Sequence, residues 1–193
     1  MSAARSTILA AVVAVSASSS SAEVLSGLGG KWRLDRGRSD DPRARIEAVA
    51  GPAQVKSGGA SGFTILPELN TRSEVERVEL REWMLGIASQ LDRLEIEQTG
   101  DTLRVYTGED LARTFYLKRE HVREDSQGRK LKCKARVEAD RLVLEEAGEN
   151  GLKMVEVFTP VPANGWLVHA VRYEHDRLKK PLELRLVYVK DAE

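Results

Sequence analysis

Residues 93–189 alternate apolar and polar side chains with a period of two, and turn residues interrupt the alternation at near-regular intervals. Successive side chains on a strand point to opposite faces, so Leu94 with Ile96, Leu103 with Val105, and Leu131 with Cys133, Ala135 and Val137 each mark one buried face. Thr99-Gly100-Asp101, Gly108-Glu109-Asp110, Ser126-Gln127-Gly128, Asn164-Gly165 and Lys179-Lys180-Pro181 supply the turns. With a first strand at 30–34, the pattern predicts about eight to nine antiparallel strands joined by short connections. A meander of that length cannot stay open without exposing unpaired edges, which favours closure into an up-and-down barrel over a two-sheet sandwich, since a Greek key needs a long crossover.

The N-terminus carries one charge, Arg5, then an uncharged apolar stretch at 8–15 and small residues ending at Ser20-Ser21-Ala22. That order predicts a secretory signal peptide over 1–22 and a periplasmic or secreted mature domain over 23–193. The serines at 18–21 break the stretch well short of the roughly 20 apolar residues a bilayer span needs, so no transmembrane segment is expected in the mature chain. With 30 basic and 30 acidic residues, nothing steers the protein towards nucleic acid. Cys133 is the single cysteine, which excludes an internal disulfide, and its alternating neighbours place the thiol in the core.

Two helices are expected. Ser39-Asp40-Asp41-Pro42 reads as the start of a short N-terminal helix that Gly51-Pro52 stops near Ala50. Residues 51–72, rich in Gly and Ser, read as a flexible loop. Ser73 and Glu76 then have the spacing of a capping box, and Leu80, Trp83, Met84, Ile87 and Leu91 recur at helical spacing, giving one amphipathic helix over 73–91. Its apolar stripe can cover the barrel as ordinary core, act as a lid over a cavity mouth, or dock a partner; Glu76, Glu79 and Glu82 argue against a membrane surface.

Gly30-Lys31-Trp32 at the head of the first strand, followed by the meander, resembles the lipocalins and their calycin relatives. The resemblance implies a mainly β, lipocalin-like barrel in which Trp32 plugs the closed end beneath a basic residue of the last strand, Arg185 first and Lys190 second. Gly30-Lys31-Trp32-Arg33-Leu34, Ser39-Asp40-Asp41-Pro42, Gly100-Asp101-Thr102-Leu103, Arg113-Thr114-Phe115-Tyr116 and Val187-Tyr188 also resemble a group of uncharacterised exported bacterial proteins with such barrels. The sequence departs from true lipocalins in two expected ways: no helix is expected after the barrel, and a helical insertion is expected between the first two strands.

Of the three histidines, His121 and His175 sit among charges and read as solvated loop residues. His169 shares a strand face with Leu167, Val171 and Tyr173, so His169 and Tyr173 are candidates to hydrogen-bond a ligand, with a hydrogen-bonded core histidine as the plainer reading. No metal site is expected, because no His or Cys pair has suitable spacing, and no cofactor is expected either. Gly-x-Ser-x-Gly and a phosphate-binding loop are absent, Glu145-Glu146 reads as solvated charge, and Gly27-Leu28-Gly29-Gly30 as a flexible lead-in, so no catalytic residue is expected and the protein is not read as an enzyme. The function expected is that of an exported binding protein for a small apolar or amphipathic ligand. The alternative is a solid-barrel envelope protein that meets a protein partner through the 51–91 loop and helix, with Leu80, Trp83, Met84 and Ile87 as the contact or lid residues.

Overall fold

The computed structural model describes residues 21–51, 72–108, 111–125, 128–149 and 151–191. Ten strands form one antiparallel sheet: β1 (Gly30–Leu34), β2 (Arg93–Thr99), β3 (Thr102–Thr107), β4 (Leu111–Tyr116), β5 (His121–Glu124), β6 (Lys130–Glu138), β7 (Arg141–Ala147), β8 (Lys153–Val161), β9 (Trp166–Glu174) and β10 (Leu182–Lys190). Their order, β4-β3-β2-β1-β10-β9-β8-β7-β6-β5, is an up-and-down meander curled so that its first and last strands, β1 and β10, pair with each other. The barrel is nearly closed. Its remaining seam lies between β4 and β5, which share no ladder. Side chains face each other there, with the Arg119 guanidinium 4.2 Å from the centroid of the Tyr116 ring and His121 meeting Tyr116 edge-on at 4.9 Å.

The expected strand count was eight to nine, and the additional strand is β5. Its sequence, His-Val-Arg-Glu, lacks an apolar alternation because the residues on its inner face are polar: Arg123 pairs in register with Leu131 of β6, and Val122 points outwards at 63% exposure. His121, expected in a solvated loop, is therefore a half-buried strand residue.

Local chemistry at the first connection follows the sequence closely. Where β1 ends, the backbone of β10 would be left unpaired, and Ser39 and Asp40 take over: Asp40 N–H donates to the Arg185 carbonyl (2.9 Å), Arg185 N–H donates to Asp40 Oδ2 (2.8 Å), and Val187 N–H donates to Ser39 Oγ (2.9 Å). Asp41 caps α2 (Pro42–Ala50), accepting from the backbone N–H of Arg43 and Ala44, with Pro42 in the first turn. α3 (Arg72–Ala88) lies against α2, and Arg81, 9% exposed, joins them through Glu47 at 3.4 Å. The capping-box side chain of Ser73 and the 52–71 part of the Gly/Ser-rich segment fall outside the described residues. None of the described helices is long and apolar enough to cross a membrane.

At the other end, Gly27 and Leu28 of the segment read as a flexible lead-in close a helix instead. α1 (Ser21–Leu28) packs on β6, β7 and β8, with Leu25 and Leu28 buried. Trp32 Nε1–H donates to the Leu28 carbonyl at 2.8 Å, which fixes the plug against the end of α1. The basic residue over the Trp32 ring is Lys190, with Nζ 4.2 Å from the ring centroid and bonded to the Gly29 carbonyl. Arg185, the first choice from sequence, points outwards and donates to the Arg38 carbonyl, because Trp32 pairs in register with Lys190 rather than with the middle of β10. Gly30 has φ +102, and a side chain there would lie 3.1 Å from Lys190 Nζ, so the glycine of the Gly-x-Trp motif makes room for the lysine.

Candidate functional site

Barrel interiors of about eight strands are just wide enough to fill with side chains, and diameter grows with strand number. Ten strands enclose the interior here. The end near Trp32 is solid, filled by the fully buried Phe115, Phe158, Leu167, Leu186 and Tyr188. Above this layer a cavity of about 610 Å³ extends to the helical cap, within the range of roughly 300–1,000 Å³ typical of small-molecule sites.

The cap supplies the roof. Ile46 of α2 and Trp83, Met84 and Ile87 of α3 line the cavity, as does Leu91 beyond the helix end. Leu80, grouped with them in the sequence pattern, is buried at 6% exposure but packs away from the cavity. Met84 is 4% exposed, and Trp83 is half-buried between Tyr173, 5.7 Å between ring centroids, and the Arg129 guanidinium, 5.1 Å from its own ring centroid. Tyr173 and His169 are both buried and both line the cavity, as their shared parity with Leu167 and Val171 required.

The opposite wall is built from charges the alternation did not single out. Arg113 of β4 makes a two-pronged pair with Glu156 of β8, at 2.5 and 3.0 Å, and Arg123 of β5 makes another with Glu146 of β7, at 2.9 and 2.8 Å. Arg113 also lies 3.9 Å from Glu146, so the two pairs form one chain across the interior. Glu146, expected to be solvated, is 2% exposed; the alternation turns Glu145 out and Glu146 in, alongside Leu142 and Leu144. The first pair ties β4 to β8 on the other side of the seam, and the second ties β5 to β7 over the intervening β6; neither pair of strands shares a backbone ladder.

Burial alone would raise the Glu156 carboxyl, but the Arg113 guanidinium and the His169 hydrogen bond outweigh it and hold the group well below the usual carboxylate range. Arg113 is raised by Glu156 and Glu146 against the opposing effect of burial. The Tyr173 hydroxyl is pushed up to about 12 by burial, and the Cys133 thiol to about 11 by burial and by Glu146. Both are neutral at physiological pH. His169 Nε2 sits 3.0 Å from Glu156 Oε1, and its ring stacks on Phe158 at 4.2 Å and 11°.

No protein-family model matches the sequence, and no curated protein matches it. Among solved structures the chain is similar to the REP1-NXSQ fatty acid transporter, with a TM-score of 0.52 and 16% identity over 87% of this chain and 99% of that one. It is also similar to apo lipid binding protein 8 of Caenorhabditis elegans, with a TM-score of 0.53 and 16% identity over 86% of this chain and 96% of the other. The fold is the lipocalin-like, calycin-type β-barrel. At these identities the likeness establishes the architecture, and what the interior holds has to be argued from its own side chains.

Proposed function

We propose that this protein is an exported carrier, acting in the periplasm or outside the cell, that encloses one small apolar or amphipathic molecule between the helical cap and the solid floor of the barrel. The observation that carries the reading is the cavity of about 610 Å³ with an apolar roof and a few converging polar groups. Trp83, Met84 and Ile87 cover the ligand, and His169 and Tyr173 hold its polar end. The named ligands of the two structural neighbours, fatty acid in one and lipid in the other, support an apolar occupant. Export rests on the pattern of Arg5, the apolar stretch and the small residues before Glu23. The burial of Met84 over the cavity, and of Leu80 beside it in the cap, favours a cover over a surface for a protein partner. The protein binds rather than converts its ligand.

The test is native mass spectrometry of mature protein purified gently from the envelope of its own host, with extraction of whatever is bound and N-terminal sequencing of the same sample. A one-to-one apolar adduct on a chain beginning near Glu23 is the expected result. A barrel that is isolated without such an adduct and takes none up from a total lipid extract would overturn the binding function, and an unprocessed cytoplasmic chain would overturn export.

A further inference from the structure

The polar wall has a property that the volume does not reveal: its charges are already matched. Among the described residues three arginines line the cavity, Arg113, Arg123 and Arg129, with four carboxylates, Glu124, Asp125, Glu146 and Glu156. Arg113 is committed to Glu156, Arg123 to Glu146, and Arg129 to Asp125 at 2.7 Å, while Glu124 lies exposed on β5. A ligand carboxylate entering this wall would have to displace Glu156 or Glu146 from its guanidinium. That would leave a buried carboxylate without a partner, or bring in an unpaired charge of its own, and both are strongly unfavourable.

Beside Arg129 Nη2, which has its ion pair with Asp125 but no hydrogen bond, the wall offers neutral hydrogen-bonding capacity. Glu156 can only accept, so Nε2 is the His169 nitrogen whose hydrogen is donated to it, and in the neutral form of the ring Nδ1 carries the bare lone pair. That Nδ1 is buried and has no partner among the described residues, and the same holds for the Tyr173 hydroxyl. Both residues line the cavity, and stacking on Phe158 fixes the His169 ring. Each of these buried, unpartnered groups is complementary to a neutral group that can donate or accept a hydrogen bond. A hydroxyl does both.

Building on the carrier reading, we infer that the cargo is an uncharged amphiphile with a hydroxyl headgroup, such as a long-chain alcohol or a partial glyceride, and not a fatty acid. The paired arginines are structural braces of the wall and a barrier to anions. His169 Nδ1 or the Tyr173 hydroxyl receives the headgroup.

The experiment compares 1-tetradecanol, tetradecanoate and tetradecylamine on the full mature protein at neutral pH, by displacement of a fluorescent apolar dye and by native mass spectrometry. Tetradecanol should bind about ten- to a hundredfold more tightly than tetradecanoate. The Glu156→Gln variant keeps the shape and an acceptor for His169 Nε2–H but releases Arg113, and it should gain affinity for tetradecanoate while tetradecanol changes little. His169→Phe should weaken tetradecanol selectively. Tetradecanoate or tetradecylamine binding best to the unmodified protein would overturn the inference while leaving the carrier reading intact. Failure of all three to bind would overturn both. The comparison on the unmodified protein decides the matter even where a variant does not fold.

Discussion

Replacing Arg113 by leucine tests whether the interior charges act as one coupled unit. Arg113 and Glu156 have side chains only 13% and 4% exposed, and both prongs of the pair are within hydrogen-bond distance. Removing one partner of such a buried pair leaves the other charge uncompensated, which costs about 3–5 kcal/mol. His169 retains its hydrogen bond to Glu156 and Glu146 keeps Arg123, so the lower part of that range, about 3 kcal/mol, is the expected loss in Arg113→Leu at pH 7. Arg113→Leu combined with Glu156→Leu should recover most of it, because two apolar groups of similar volume remove the stranded charge. The assay is urea unfolding of the unmodified protein, both single variants and the double variant, closed as a double-mutant cycle.

The pH dependence supplies a second sign. Glu156 lies below its unfolded value in the native protein, so its contribution is present above the ordinary glutamate range and is lost as the pH falls towards its depressed native value. In Arg113→Leu the largest influence opposing burial is removed and His169 alone remains against it, so the native Glu156 should rise and that variant should gain stability as the pH is lowered from neutral towards the carboxylate range. A loss under about 1 kcal/mol, with an unchanged pH slope, would show that the pair behaves like an exposed surface bridge and would refute the reasoning.

Other parts of the structure give sharper local tests. Trp32→Phe keeps the plug but orphans the buried Leu28 carbonyl, and should cost about 1–3 kcal/mol in chemical denaturation. Asp41→Ala removes both cap bonds of α2 and should cost about 1 kcal/mol, whereas Asp41→Asn should cost little in the same assay. Cys133, fully buried and with its thiol pushed up to about 11, should resist a thiol-specific reagent in the native protein at pH 8 and react at the ordinary rate once unfolded.

The sequence disclosed the barrel and part of its site because both rest on parity. Leu167, His169, Val171 and Tyr173 could be placed on one face by counting, and the structure puts that face inside. The charged wall obeys the same rule: Glu146 follows Leu142 and Leu144, Arg113 precedes Phe115, and Glu156 precedes Phe158, each two residues from an inward apolar neighbour. Carrying the count through the polar residues would have set all three inside. They were missed because a charge on a strand is ordinarily taken as the mark of the outer face, which holds only where no partner awaits it. Parity could not reveal the pairing itself. Arg113 and Glu156 lie 43 residues apart on strands that share no ladder, so their contact exists only once the sheet has curled around a common axis, and Arg123 meets Glu146 across the two ladders that β6 makes with β5 and β7. Nor could it reveal β5, whose inner side chains are the polar residues that make the wall. The least strand-like segment of the sequence is thus the one that brings an arginine to the cavity, and its burial is tolerable only because Glu146 had been turned inward on β7 to meet it.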